Sequence, residues 1–251
     1  MSRHNFRKTI LIVVEIALLL LLSFFLCLHF QKPGRENNAV AVSRIITDSM
    51  DEIVPDFPLV PETVDIEITK DFREEFIHGD KDRKYQKYIV LHDTEVDSSA
   101  QSIIDMWDKN ENKVATHYIV NKDGSIYQCV PLSKIAHHVG YGNTGNNEKY
   151  GVQDESRDDK IGTGEPNEGV TDYGMNSYSI GIEMVHVGGE GDYPEPQLEA
   201  LDKLIEYIDE YYGFESEIID HKAWRRGNSD TSPEFEKYFN NYKKYRRHSN
   251  N

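Results

Sequence analysis

One apolar block limits what this chain can be. Residues 10–30 form a run of 21 residues in which Glu15 is the single acid. A helix needs about 20 apolar residues to span the hydrocarbon core of a bilayer. The basic residues beside the block are Arg3, Arg7 and Lys8 before it and Lys32 and Arg35 after it. The positive-inside rule then predicts a cytoplasmic segment over 1–9, a transmembrane anchor over 10–30 and an external C-terminal domain.

Three other interpretations of this block stay open. A cleaved signal peptide needs a small-x-small site, and none follows between Leu26 and Gln31. A lipoprotein signal would end at Cys27, but Leu26 stands where a small residue is expected. A buried core helix is disfavoured by the length of the run. We therefore favour an uncleaved anchor, with Glu15 near its cytoplasmic end, where a charge costs less than at the bilayer centre.

The rest of the chain is acidic. Residues 1–35 hold five of the 28 Lys and Arg and one of the 44 Asp and Glu, which leaves 23 bases against 43 acids and a net charge of −20 for residues 36–251. Such a surface argues against nucleic acid as a partner, because phosphate binding needs clustered cations. Cys27 and Cys129 are too few and too far apart in the chain to indicate a cysteine metal site.

The remaining pattern mixes strands and helices. Apolar runs predict strands at 88–92, 117–121, 125–130, 178–185 and 218–219. Asp123-Gly124 between two of these runs predicts a hairpin. We predict three helices: one follows Ser98 or Ser99, a second begins at Pro196 and is closed by Gly213, and a third begins at Pro233. We predict an α/β fold, a single domain with a central mixed β-sheet flanked by helices and preceded by the transmembrane helix.

Histidines and one acid stand where these predicted strands end. His92 closes a strand, His221 follows another, and Asp230 lies nine residues beyond His221. Two imidazoles and a carboxylate form a usual ligand set for catalytic zinc, with a further position left to water. Spacing alone is weak evidence, because a histidine at a strand end is more often an ordinary polar residue.

The sequence around these residues resembles a known family. The motifs are Ile-Val-Leu-His-Asp-Thr (89–94), Thr-His-Tyr-Ile-Val (116–120), Asp-Gly-Ser-Ile-Tyr-Gln (123–128), Ala-His-His-Val-Gly (136–140) and Asn-Ser-Tyr-Ser-Ile-Gly-Ile-Glu (176–183), followed by His221. In this order they resemble the N-acetylmuramoyl-L-alanine amidases. These enzymes have the type-2 amidase fold, shared with peptidoglycan recognition proteins and phage lysozyme-like amidases. The resemblance covers about residues 85–240.

The resemblance implies roles for particular residues. His92, His221 and Asp230 match the zinc ligands, so Zn2+ is the expected cofactor. Glu183 matches the acid that is catalytic in many members, and a carboxylate there would move protons. His138 matches a histidine that lines the family's groove, which implies substrate binding or stabilisation of an oxyanion.

Other positions have less defined expectations. Thr94 is a candidate substrate hydroxyl. Asn228 stands where the family often has a lysine, so its amide is expected to stabilise developing negative charge less well, and Arg226 is a candidate substitute. His117 is expected to be a satisfied core histidine. We expect His186 and His78 to lie on the surface.

The expected layout follows from these motifs. Residues 31–80 are a linker and N-terminal extension, 81–246 the zinc amidase domain with a loop insertion at 141–175, and 247–251 a tail. The insertion is a candidate groove wall or lid.

The implied function is hydrolysis of the amide bond between N-acetylmuramic acid and L-Ala in peptidoglycan, the expected partner. The chain would be a single-pass protein of the cell membrane with its catalytic domain on the extracellular side. The main alternative is a module that binds muropeptide without cutting it. A weaker alternative is a zinc hydrolase of another peptide bond. Asp230 and Glu183 together favour the enzyme.

Overall fold

A six-stranded sheet organises the part of the chain that the structure describes. The computed structural model describes residues 64–111, 113–152, 157–159 and 174–250. The strands are β1 (Ile68–Lys70), β2 (Tyr88–Asp93), β3 (Tyr118–Val120), β4 (Ile126–Gln128), β5 (Ser179–Met184) and β6 (Glu217–Asp220). Their order across the sheet is β1-β4-β3-β5-β2-β6.

The sheet is mixed, as the sequence predicts. Strands β3, β5, β2 and β6 run parallel, whereas β4 is antiparallel to β3 and β1 runs parallel with β4. The predicted Asp123-Gly124 hairpin joins β3 and β4. Since β2, β5 and β6 are parallel, their carboxyl ends lie at one edge of the sheet, the edge where open α/β sheets usually bind ligands.

Six α-helices accompany the sheet in the described residues. They are α1 (Ala100–Lys109), α2 (Asn146–Tyr150), α3 (Met175–Tyr178), α4 (Glu195–Tyr212), α5 (His221–Trp224) and α6 (Glu236–Tyr245). Ser99 caps α1, because its side chain accepts from the Ser102 N–H. Gly213 ends α4 with φ 70°, a left-handed conformation that glycine adopts without steric cost.

Side-chain alternation along the strands gives the sheet two different faces. On β2, Ile89 and Leu91 join the core formed with Leu201 and Leu204 of α4. Val90 belongs to a separate cluster that includes Trp224. Successive residues of a strand point to opposite faces, so His92 shares the face of Val90 and not that of α4.

The structure adds detail to three segments of the predicted layout. Strand β1 lies inside the predicted linker and extension of 31–80, and its pairing with β4 makes it part of the sheet. The predicted tail of 247–251 is docked, because the His248 N–H donates to Asp202 of α4 at 2.8 Å. Within the predicted insertion, α2 packs on the domain, and the Tyr150 hydroxyl donates to the Ala223 carbonyl at 2.8 Å.

The predicted anchor at 10–30 lies outside the described residues. No helix among the described residues is long and apolar enough to cross a membrane. The described residues belong to one compact unit, Val54–Asn251.

Candidate functional site

Three side chains converge at the carboxyl edge of the sheet. His92 is near the end of β2, His221 directly follows β6, and Asp230 lies on the loop after α5. Nδ1 of His92 lies 2.9 Å from Oδ2 of Asp230, and Nδ1 of His221 lies 3.1 Å from the same oxygen. The two imidazole rings have centroids 4.6 Å apart. The structure therefore brings together the three residues predicted to be ligands.

This donor set fits a zinc ion. Each residue offers one ligand atom, and these atoms all lie within 4.8 Å of one another. The three residues are 2%, 9% and 7% exposed, so water does not compete freely for them. On the far side of its ring, His221 Nε2 lies 3.1 Å from the Val139 carbonyl, an acceptor suited to a ring proton on Nε2, and Nδ1 is the nitrogen that faces Asp230.

The charges of this cluster also suit a cation. Burial lowers the pKa of His92, which keeps its imidazole neutral and able to act as a ligand. Burial acts to raise the pKa of Asp230, but the contacts with His221 and His92 outweigh it, and the pKa lies below its usual value. Two imidazoles and one carboxylate would bind a divalent cation, and the carboxylate would balance one of its two charges.

Glu183 lies beside this cluster. It is paired in register with His92 across the neighbouring strands β5 and β2, so both side chains share one face of the sheet. Burial, followed by the charges of Asp230 and Asp93, raises the pKa of Glu183 well above its ordinary range. Its buried Oε2 has no hydrogen-bond partner among the described residues. A carboxyl group with a raised pKa and an uncommitted oxygen is suited to proton transfer.

His138 lies next to His92 and is 6% exposed. The resemblance implies that it binds substrate or stabilises an oxyanion, and this role stays a prediction. Its Nδ1 lies 3.0 Å from His92 Nε2, and its Nε2 lies 3.1 Å from the Ser179 hydroxyl. Both ring nitrogens therefore already have partners within the protein. Burial lowers the pKa of His138 well below its usual value, so the ring is neutral.

Thr94 and Asn228 occupy different places. The Thr94 hydroxyl donates to the Val96 carbonyl at 2.9 Å, within the loop after β2, and its expected contact with substrate stays a prediction. Asn228 Nδ2 lies 2.8 Å from both ring nitrogens of His221. The structure thus places the Asn228 amide against the second candidate ligand. Arg226 is exposed, and its backbone N–H points to Asn143 Oδ1 at 3.4 Å.

His117 is the core histidine that the sequence predicted. Its Nδ1 accepts from the Gly181 N–H at 3.1 Å, and its Nε2 donates to the Lys134 carbonyl at 3.0 Å. The ring is fully buried and joins β5 to the chain after β4. Burial lowers the pKa of His117 well below its usual value, so it stays neutral.

Sequence reasoning missed a buried network that holds the loop of Asp230. The Tyr193 hydroxyl donates to both Asp93 carboxylate oxygens, at 2.8 and 2.6 Å. The Ser232 N–H donates to Asp93 at 2.7 Å, and the Ser232 hydroxyl lies 3.0 Å from His186 Nδ1. His186 is only 2% exposed, so its expected surface position is wrong. The signal available in the sequence was Asp93, which directly follows His92.

His78 is also wrongly predicted. It is 2% exposed, and its Nδ1 lies 3.3 Å from the buried Asp158 carboxylate. Its ring contacts His137 edge-on, with centroids 5.1 Å apart. The sequence around His78 gave no indication that it is buried, because its partner Asp158 lies far along the chain.

Comparison with known proteins identifies the family. The N-acetylmuramoyl-L-alanine amidase family matches residues 82–234. Among solved structures, the chain is similar to the endolysin amidase LysCS from Clostridium intestinale URNW, with 18% identity over 64% of this chain and 84% of that one, and a TM-score of 0.44. It is also similar to the Ph2119 endolysin from a Thermus scotoductus MAT2119 bacteriophage, with 19% identity, coverage of 65% and 90%, and a TM-score of 0.44.

A selenomethionine derivative of AmpD has 18% identity, coverage of 71% and 94%, and a TM-score of 0.46. The comparison with curated proteins gave no match. The family match spans more than half of the chain and contains His92, Glu183, His221 and Asp230. The chain therefore belongs to the N-acetylmuramoyl-L-alanine amidase family.

Proposed function

We propose that this chain is a zinc-dependent amidase that cleaves the bond between the lactyl group of N-acetylmuramic acid and L-Ala of the stem peptide. The observation that carries the proposal is the convergence of His92, His221 and Asp230 within 4.8 Å, with Glu183 in register beside His92. In this proposal His92, His221 and Asp230 are the zinc ligands, and Glu183 is the catalytic acid and base.

In the proposed reaction, Glu183 transfers the protons that amide hydrolysis requires. The chemistry supplied by a bound zinc ion is Lewis acidity, which lowers the pKa of water and polarises a carbonyl. Glu183 takes the proton of the attacking water and returns it to the departing amine of L-Ala. A raised pKa suits both steps, because the carboxyl group must accept a proton and then release it near neutral pH.

Asn228 is a further donor beside the site. It stands where relatives often carry lysine, and its amide nitrogen contacts the His221 ring. A neutral amide stabilises a developing negative charge less than an ammonium group does. More of the work of hydrolysis therefore falls on Glu183 and His138 in this chain.

Product analysis tests this function against its alternatives. Purified peptidoglycan is digested with the full chain, and the products are separated and weighed by mass spectrometry. We expect intact stem peptides with new L-Ala amino termini and unbroken glycan strands. Cleavage inside the stem peptide would indicate a different zinc hydrolase. Binding without any product, with a His92→Ala variant binding equally well, would indicate a recognition module.

We further propose that residues 10–30 hold the domain at the extracellular side of the cell membrane. The support is the apolar run of the sequence and its basic flank. The net charge of −20 over residues 36–251 adds a reason for an anchor, because anionic wall polymers repel an acidic domain. Protease added to intact cells should remove the domain, and membranes of untreated cells should hold the full-length chain. A shortened soluble form as the main species would overturn this proposal.

A further inference from the structure

We propose that Ser179 and His138 are positioning residues that keep the proton of His92 on Nε2 and so present its Nδ1 to the metal. The inference rests on the proposed zinc site, and it assigns a role to two residues that do not themselves reach the cluster. Ser179 opens β5, and His138 lies between it and His92.

The first hydrogen bond of this series joins Ser179 to a backbone carbonyl. The Ser179 hydroxyl lies 2.6 Å from the Met175 carbonyl oxygen. A carbonyl oxygen only accepts, so the hydroxyl proton of Ser179 points toward it. The lone pairs of Ser179 Oγ are then the side that faces His138 Nε2 at 3.1 Å, and that nitrogen must donate.

The direction of this bond sets the next one. A neutral imidazole has one N–H, and in His138 it is on Nε2, so Nδ1 has a bare lone pair. His92 Nε2 lies 3.0 Å from that lone pair and must therefore carry its own ring proton. The proton order thus runs from the Met175 carbonyl through Ser179 and His138 to His92 and places a ring proton on His92 Nε2. Nδ1 of His92 faces Asp230 Oδ2 at 2.9 Å, so Nδ1 is the nitrogen that a metal would bind, in place of the proton that this carboxylate otherwise accepts.

Two further contacts hold the His138 ring in this place. A Cβ on Gly181 would lie 2.6 Å from His138 Nδ1 and 2.8 Å from its Cγ, so the ring rests directly on the backbone of β5. The backbone N–H groups of His138 and Val139 both donate to Asn176 Oδ1 at 3.1 Å. Metal-bound histidines usually depend on such a partner for the other ring nitrogen, and its loss costs about 10–100-fold in metal affinity.

The test compares Ser179→Ala with Ser177→Ala. Ser177 is a matched control, because it is two residues away and fully buried, and its hydroxyl has no hydrogen-bond partner among the described residues. The full chain is labelled with 15N-histidine, loaded with zinc and studied by long-range 15N–1H NMR, which reports the protonated nitrogen of each ring. Zinc affinity of the same samples is measured by competition with a chelator.

We expect Nε2–H for both His92 and His138 in the wild type and in Ser177→Ala. In Ser179→Ala we expect the His138 signals to move toward a mixture of tautomers and the zinc affinity to fall about 10-fold or more. A wild-type His92 protonated on Nδ1 would overturn the inference, and so would a Ser179→Ala variant that binds zinc as tightly as Ser177→Ala. A wild type that takes up no zinc but carries its His138 proton on Nε2 would support the proton order and contradict the zinc site proposed above.

Discussion

His92 and Glu183 are register partners on neighbouring parallel strands, and this pairing links the proposed metal site to the proposed proton carrier. Adjacent strands lie about 4.8 Å apart, and residues in register on them point to the same face of the sheet. The separation of the two side chains is therefore set by backbone hydrogen bonds rather than by a loop. A rigid pair of this kind lets one side chain be changed while the other keeps its place.

Replacing Glu183 with glutamine should abolish proton transfer and leave the metal in place. We expect turnover of peptidoglycan to fall by about two to four orders of magnitude, the range typical of a lost general acid–base. Zinc content should match that of the wild type, because glutamine keeps the size of the side chain. Glu199→Gln, an exposed acid on α4 across the sheet, is the control and should retain full activity. A Glu183→Gln enzyme that works near the wild-type rate would mean that another group carries the proton.

Replacing His92 with alanine should remove a zinc ligand. Elemental analysis of the purified chain is expected to give about one zinc per wild-type molecule and little in the variant, since a catalytic site usually needs three protein ligands. His248→Ala is a suitable control, because His248 contacts Asp202 of α4 instead of the cluster. Equal zinc in His92→Ala and the wild type would show that the metal binds elsewhere.

The acid limb of the pH–activity profile should respond to Glu95. The carboxylate of Glu95 is among the causes that raise the pKa of Glu183, after burial and the charges of Asp230 and Asp93. A neighbouring negative charge favours the protonated form, so Glu95→Gln lowers the pKa of Glu183. The base form then persists to lower pH, and the acid limb of kcat/KM should move to lower pH. Glu95 is exposed, so solvent screening keeps this shift small. A shift to higher pH would contradict the assignment of Glu183 as the base.

Adding a methyl group at Gly181 should act through His138. The new Cβ would overlap the His138 ring, and overpacking of this kind typically costs about 1–3 kcal/mol. In a His138→Ala background the ring is gone, so the same Gly181→Ala change should cost much less. Denaturant unfolding of the two single variants and the double variant gives this coupling free energy directly. Additive effects would indicate that the ring does not rest on Gly181.

The loop of Asp230 should loosen when the Tyr193 hydroxyl is removed. Tyr193→Phe keeps the ring stacked on His186, at a centroid distance of 3.9 Å, and deletes the donor to Asp93. We expect a loss of about 1–3 kcal/mol in the free energy of unfolding, because a buried carboxyl group loses a hydrogen bond. Zinc affinity should also weaken, since Asp93 and Ser232 position this loop. Tyr245→Phe, at an exposed tyrosine, should change neither quantity.

Much of the fold could be predicted from periodicity. The runs that became β2 and β5 are apolar because both faces of these central strands are buried, and the hairpin after β3 follows from Asp123-Gly124. The edge strand β1 was not predicted. It is three residues long and half-exposed, so its pairing with β4 leaves almost no pattern in the sequence.

The sequence by itself determined the candidate ligands and the candidate acid, because each sits in a motif at a predicted strand end. Only the tertiary structure decided which groups contact the His138 ring. Its motif placed it near the groove, but the direction of its two ring nitrogens depends on Ser179 and on His92, which lie 41 and 46 residues away along the chain. An imidazole can donate or accept at either nitrogen, so the direction of its hydrogen bonds depends on the groups that surround it in the folded structure. Residue types and spacing cannot specify that choice, whereas the contacts of His138 with Ser179 and His92 in the folded chain do.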